Sequence, residues 1–170
     1  MQACFAGGCF WCMTPIFKLW GVDKVTCGYS GGWDDNPFYQ SVKRQETGHR
    51  ESILLEYDPA VVSYEDLLDI YFANVDPYDE GGQFIDRGFS YTLAIFYQTE
   101  EERMAAAERL FLLYQETGRQ PAVALEPFRS FYPAEEEHQD YYLKNPEAFA
   151  RELETSGRRP KAEDGGGEEP

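Results

Sequence analysis

No apolar run in this chain of 170 residues approaches the roughly 20 residues that a membrane-spanning helix needs. No basic stretch near the start leads into an apolar one, so no export signal is expected and a cytoplasmic protein is read. Basic residues are scarce: 15 Lys and Arg stand against 31 Asp and Glu, a formal net charge of −16. Nucleic acid and anionic membrane surfaces are therefore not expected as partners. The acid is spread along the chain, where it serves solubility. Four cysteines do not make a disulfide scaffold, and in a reducing compartment Cys9-x-x-Cys12 reads as a redox or metal pair, not a staple. There are no internal repeats.

The composition is that of a folded globule, 42% hydrophobic and 16% aromatic, in a chain long enough to bury a sizeable core. A single domain is expected over residues 1–150. Residues 151–170 read as a polar tail rich in Gly and Glu, without apolar periodicity and disordered. Strands are expected at residues 2–6, 22–29, 51–57, 90–97 and 122–126, and helices at 10–20, 63–74, 99–118 and 134–143. Ser63-x-x-Asp66 and Thr99-x-x-Glu102 are helix-start patterns, and Gly118 is a helix stop. The order β-α-β-β-α-β with an α-β extension is the split-βαβ pattern. It implies an α+β, two-layer sandwich with a ferredoxin-like core, long functional loops and a C-terminal coil. Two long loops stand out, since long loops often carry function. One holds Tyr39 and His49; the other holds Asp76, Asp79, Asp86 and Arg87.

The most informative stretch is Gly7-Gly8-Cys9-Phe10-Trp11-Cys12, where a strand gives way to a helix. Helix N-terminal N–H groups favour negative charge, so a thiol there ionises more readily, and the thiolate is the nucleophile. Two glycines let the chain bend sharply and keep bulk away from the sulfur. A lone cysteine is more often a small buried apolar residue, the reading given to Cys4 and Cys27. The paired glycines, flanking aromatics and second thiol make Cys9 the reactive candidate.

Gly-Gly-Cys-Phe-Trp at this turn resembles the catalytic signature of the A-type peptide methionine sulfoxide reductases. Gly28-Tyr29-Ser30-Gly31-Gly32, Asn36-Pro37-Phe38-Tyr39-Gln40-Ser41-Val42, Thr47-Gly48-His49-Arg50-Glu51 with Tyr57-Asp58-Pro59, and Phe131-Tyr132-Pro133-Ala134-Glu135 with His138-Gln139-Asp140-Tyr141-Tyr142 are similar to further blocks of that family, in order. The chain departs from the pattern in three places. Thr14 stands where the family usually has an acid, Ser90 and Thr92 replace a Gln and an Arg, and no cysteine follows Cys27.

The resemblance implies thiol-dependent reduction of methionine-S-sulfoxide, free or in oxidised proteins, with S-epimer selectivity. A thiolate attacks the electrophilic sulfur while a proton donor neutralises the oxygen. Cys9 is read as nucleophile and Glu51 as the donor, which requires burial to raise its pKa. The resemblance assigns Tyr39 and Tyr91 to the sulfoxide oxygen. Phe10 and Trp11 offer an apolar wall for the methyl group, the indole being the better candidate, and Asp86 is expected to order the loop around Cys9 through backbone hydrogen bonds. Attack leaves a sulfenic acid on Cys9. Cys12 is a candidate resolving thiol and equally a packed helix residue. Positions three apart on a helix lie about 5–6 Å apart, whereas a disulfide needs Cβ atoms within about 3.5–4.5 Å. An external thiol is therefore expected to do the recycling, either thioredoxin or glutathione with glutaredoxin, with no other cofactor. A monomer is expected. Three rivals remain: a thioredoxin-like oxidoreductase using Cys9-x-x-Cys12, a metal module of Cys9, Cys12, His49 and His138, and a non-catalytic methionine sulfoxide binder.

Overall fold

The computed structural model describes residues 1–158. Strand β1 (Gln2–Gly7) leads into helix α1 (Phe10–Leu19), followed by β2 (Lys24–Ser30), a short helix α2 (Tyr39–Lys43), β3 (Arg50–Glu56) and α3 (Tyr64–Ala73). A two-strand ladder, β4 (Gly82–Gln83) with β5 (Asp86–Arg87), precedes β6 (Leu93–Tyr97), α4 (Glu100–Thr117) and β7 (Val123–Pro127). The described chain closes with β8 (Phe131–Pro133), α5 (Tyr141–Lys144) and α6 (Pro146–Ser156).

The main sheet runs β7-β6-β1-β3-β2-β8. Its ladders are antiparallel except β6–β7, which is parallel because α4 makes the crossover between them. Stripped of its edges, the order β6-β1-β3-β2 is the ferredoxin-like arrangement expected of a split βαβ chain, in an α+β fold. Strand periodicity explains the layering. Ala3 and Phe5 of β1 join the main core, where Phe5 packs near Phe17 of α1 and Tyr71 of α3. Cys4 and Ala6, on the opposite face, join a smaller cluster with Ala94 and Phe96.

The two expected helix starts form. Asp66 N–H donates to Ser63 Oγ (3.0 Å) while Ser63 N–H donates to Asp66 Oδ2 (3.0 Å). Thr99 Oγ1 accepts from Glu102 N–H (3.2 Å), and Gly118 ends α4 in the left-handed region at φ 68°.

Besides the unexpected α2 and the β4–β5 ladder, four segments differ from expectation. The strand expected from residue 90 begins at Leu93, because Phe89–Tyr91 forms a 3-10 turn pinned by a 2.6 Å bond from the Thr92 hydroxyl to Phe89 O. The helix expected at 134–143 is instead a 3-10 turn at Glu136–His138 and the short α5, separated by Asp140 at φ 50°. Residues 131–133, read as connection, add β8 to the edge of β2. Beyond β8 the side chain of Gln139 continues that edge, accepting from Cys27 N–H (2.8 Å) and donating to Cys27 O (2.9 Å). Finally, residues 151–156 of the expected tail complete α6, held by buried Phe149 and by Leu153 against the cysteine cluster, so a helix stands within the expected coil. The remainder of that tail, 159–170, lies outside the described residues.

Candidate active site

Cys9 is the N-cap of α1, with φ −56° and ψ 118°, and its carbonyl accepts the N–H groups of Cys12 (3.1 Å) and Met13 (3.2 Å). It is therefore not itself helical, and its side chain is free of the helical spacing that separates positions three apart. The consequence departs from the sequence expectation: the Cys9 and Cys12 side chains come together in one buried cluster. Both are buried, in a cluster with Phe149 that Trp11, Tyr141, Tyr142 and Leu153 pack against. Gly8 makes the turn possible. Its φ is +87°, and a Cβ there would lie 2.7 Å from the Cβ of Gln83 in the second long loop.

Charge in the pair is unevenly placed. The Cys9 thiol is held well above the ordinary thiol pKa by its pairing with Cys12, with burial and the carboxylates of Glu51 and Asp86 adding to this. Cys12 is lowered by the same pairing, and the Arg158 guanidinium helps; burial, Asp86 and Glu152 oppose. From the helix start the easier ionisation was expected at Cys9, whereas the side-chain surroundings raise Cys9 and lower Cys12.

Glu51 sits on β3 opposite Tyr29 of β2 and is fully enclosed. Burial raises its carboxyl well above the ordinary range, as does the charge of Asp86; the Phe10 backbone N–H and the Tyr91 hydroxyl act in the opposite sense. Tyr39, from α2, and Tyr91, from the 3-10 turn, face each other and Glu51, and burial raises both phenols. The two elements that carry them are tied together. Gln45 Nε2 donates to Ser90 Oγ (3.0 Å), and Ser90 N–H donates to Gln45 Oε1 (2.8 Å). Arg50 Nε donates to Thr92 Oγ1 (2.9 Å). The substituted positions Ser90 and Thr92 thus hold the loops beside the tyrosines. Thr14 is buried, donates to Phe10 O (2.8 Å) and lies 3.2 Å from Cys27 Sγ.

Trp11 is half-buried in an aromatic stack, 4.0 Å from the Tyr141 ring and 6.0 Å from Tyr39. Its indole N–H donates to His138 Nδ1 (3.2 Å). Phe10 is buried beneath, near Tyr39 and His138. Sequence reasoning gave no role to Glu135, and to His138 only a place in the metal reading, although both lay in a quoted motif. Glu135 accepts from the Tyr29 hydroxyl (3.0 Å) and from Tyr39 N–H (3.1 Å), tying α2 to β2.

Asp86 is half-buried, raised by burial and by Glu152. Among the described residues it makes none of the expected loop-ordering side-chain bonds. Asp79 and Gln83 make them: Asp79 accepts from Gly81 N–H (3.1 Å) and pairs with Arg87, while Gln83 bonds both N–H and C=O of Asp76 (2.8 Å each). The backbone of Asp86 is instead engaged in the ladder with Gln83. Cys27, with its thiol pushed up to about 12 by burial, and Cys4 lie in the core as expected.

The four residues of the metal reading are not brought together. His49 Nδ1 accepts from Gly32 N–H (3.0 Å), so its Nε2 carries the proton donated to Asp34 O (2.7 Å). Among the described residues the one group with ligating atoms mutually close is Glu135, Glu137 and His138. There the Trp11 bond makes Nδ1 of His138 the acceptor and leaves the proton of the neutral ring on Nε2, the atom a metal would need.

Comparison with known proteins supplies independent findings. Residues 1–165 match the family model described as peptide methionine sulfoxide reductase. The chain is 46% identical over 160 residues to peptide methionine sulfoxide reductase MsrA 2 of Staphylococcus aureus strain MW2, covering 92% of this chain and 90% of that protein. Its fold is similar to that of Mxr1 from Saccharomyces cerevisiae in reduced form, with a TM-score of 0.81 at 28% identity over 86% of each chain. Mxr1 in complex with Trx2 shares the fold at 19% identity, with a TM-score of 0.56 over 83% of this chain and 84% of that one.

Proposed function

The chain belongs to the peptide methionine sulfoxide reductase family and is an oxidoreductase of oxidised methionine; from that premise we propose that it works by a two-thiol relay in which Cys9 attacks and Cys12 resolves. The observation that carries this reading is the meeting of Cys9 and Cys12 in one buried cluster at the N-cap of α1, in a site where burial raises the carboxyl of Glu51 well above its ordinary range.

As substrate binds, the Cys9 proton passes to Cys12, the more readily ionised thiol of the buried pair. The Cys9 thiolate attacks the sulfoxide sulfur. Glu51 delivers its proton to the oxygen as negative charge grows there, and Tyr39 and Tyr91 donate hydrogen bonds to it. The hydroxyl then passes to the Cys9 sulfur: the S–O bond of the substrate and its bond to Cys9 break, an S–O bond to Cys9 forms, and methionine leaves with Cys9 as a sulfenic acid. Two electrons have moved from the cysteine sulfur to the substrate sulfur. Cys12 then attacks the Cys9 sulfur; its proton ends on the departing hydroxide, giving water and a Cys9–Cys12 disulfide.

The aromatic group of Phe10 and Trp11 takes the methyl on sulfur. A chiral sulfoxide satisfies both this wall and the Glu51–tyrosine group in one hand only, and the S epimer is the expected one. Thioredoxin is the reductant we propose, since Mxr1 is known in complex with Trx2. Neither family nor sheet order favours the thioredoxin-like rival, in which the disulfide would itself be the catalyst.

The test is one equivalent of each methionine sulfoxide epimer, given to the reduced protein without reductant, with peptide mass spectrometry and dimedone trapping. One methionine per chain from the S epimer, with quantitative Cys9–Cys12 crosslinking, is the expected result. A persistent sulfenic acid on Cys9 with both epimers equally reduced overturns it.

A further inference from the structure

Arg158 reaches back from beyond the end of α6 to the turn that carries the nucleophile. It is 3% exposed. Its Nη2 donates to Gly7 O (2.7 Å) and Asn74 O (3.0 Å) and meets Met13 Sδ at 2.9 Å. Gly7 lies two residues before Cys9, and Met13 is the residue after Cys12, so the guanidinium is pinned against both ends of the Cys9–Cys12 segment. Its Nη1 is also close to Gly8, 3.1 Å from where a Cβ would stand. On its other side the ring of Phe84 lies 5.1 Å from Cζ. Among the described residues Nη1 and Nε are buried without a hydrogen-bond partner. A buried cation is costly unless an anion answers it. None of the bonds made by Nη2 is to a carboxylate, whereas the charges that act on Arg158 are those of Cys12, Cys9 and Asp86.

We propose that Arg158 is a positioning residue of the relay, a buried cation set against the Cys9–Cys12 turn that favours the thiolate of Cys12 as the resolving nucleophile. The assignment rests on the two-thiol reading given above. It explains why the pair can be buried and still ionise: a buried cation stands against the turn that carries both thiols. Of the other groups about Cys12, Cys9 pairs with it, Asp86 and Glu152 oppose its ionisation, and Glu51 feels its charge; the Arg158 guanidinium favours that ionisation.

The step it serves balances without further reactants. Cys12, which took up the Cys9 proton in the first step, releases it as its sulfur displaces hydroxide from the Cys9 sulfenic acid; an S–S bond forms as the S–O bond breaks, and the hydroxide takes that proton and leaves as water. The rate follows the thiolate fraction, partly offset by the lower nucleophilicity of a more acidic thiol.

The test compares wild type, Arg158→Met and Arg158→Lys in the full chain. Iodoacetamide alkylation across pH, read by peptide mass spectrometry, gives a midpoint for each cysteine. Rapid quench with dimedone after one equivalent of methionine-S-sulfoxide separates methionine formation from disulfide formation. In Arg158→Met the Cys12 midpoint is expected to rise by about one pH unit and disulfide formation to slow by roughly three- to tenfold. Trapped sulfenic acid should accumulate, with the methionine burst retained. Arg158→Lys, which keeps the charge, should restore the midpoint; a merely structural role would not respond to charge in this way, and circular dichroism checks folding in both. An unchanged Cys12 midpoint and resolution rate in a folded Arg158→Met protein overturn the proposal alone. A wild-type protein that makes methionine but never the Cys9–Cys12 disulfide overturns the relay and this proposal together.

Discussion

Replacing Glu51 by Gln removes one ionisable proton from the site and almost no volume. The amide oxygen still faces the Phe10 N–H, and the Tyr91 hydroxyl keeps a partner, so packing is retained. Two independent effects are expected. The first is on chemistry: loss of a general acid typically costs about 10²–10⁴ in rate, or roughly 2.7–5.4 kcal/mol of barrier. It should fall on the single-turnover methionine step and leave substrate affinity little changed. The second is on stability, and its sign follows from the raised carboxyl. Below the pKa of the unfolded chain's glutamate, folded and unfolded states are both protonated, and the stability from this group is fully present. As pH rises, the unfolded chain releases its proton while the folded protein keeps it, so stability falls until the folded pKa is passed. The loss is about 1.36 kcal/mol for each pH unit separating the two values. Gln has no proton to lose. Glu51→Gln should therefore match wild type in mildly acidic solution and become progressively the more stable protein as pH rises. Asp86, also raised by burial, contributes to both curves and cancels in their difference. Urea denaturation at a series of pH values gives the stability curves, and rapid quench gives the chemistry. Parallel stability curves would show that Glu51 is not held protonated. A wild-type burst rate would move the proton's source elsewhere, to Tyr39 or Tyr91.

Further perturbations reach other parts of the site. Cys12→Ser should release one methionine per chain at near wild-type burst rate and then stall as a Cys9 sulfenic acid, seen as a dimedone adduct; Cys9→Ser should release none. His138→Phe keeps a ring beside Tyr39 but strips the Trp11 N–H of its acceptor. An unsatisfied buried donor costs about 1–3 kcal/mol, so kcat/KM should fall about tenfold or more with the epimer preference weakened, measured on the separate epimers. Thr99→Ala removes the cap of α4, and urea unfolding should show a loss of about 1 kcal/mol with the burst unchanged.

Much of the architecture is legible because strand and helix periods are strongly marked. Alternation in β1, with Ala3 and Phe5 facing the helices and Cys4 and Ala6 the other side, and the polar starts at Ser63 and Thr99 suffice for the four-strand core and its helices. What escaped depends on contacts between distant segments. The five residues of α2 have too little length for a periodic pattern; they are fixed by the Ser41–Phe38 bonds and by Glu135 reaching Tyr39 N–H. Residues 146–156 are polar along most of their length, and only Phe149 and Leu153 against the cysteines make them a helix worth burying. At the site, the aromatic, acidic and thiol members were legible as motif residues, but the geometry of the thiol pair was not. The spacing argument treated Cys9 as helical, whereas an N-cap residue points its side chain by its own ψ. The loop-ordering task expected of Asp86 falls to Gln83 and Asp79 for a similar reason, since which polar loop residue turns inward is set by the ladder that Asp86 and Gln83 share.

The central place of β1 has a consequence for how the chain assembles. Phe5 lies between Ile53 of β3 and Ile95 of β6, so the strand that presents the nucleophile is completed only by pairings distant in sequence. Closing such loops costs entropy before any contact rewards it, and folds ruled by non-local pairing form slowly, on the order of milliseconds to seconds. Until β6 arrives, one flank of β1 is an open edge and all four thiols are accessible to oxidants and to each other. Refolding yield should consequently depend on reductant present from the first moment of dilution, and hardly at all on reductant added once the sheet has closed.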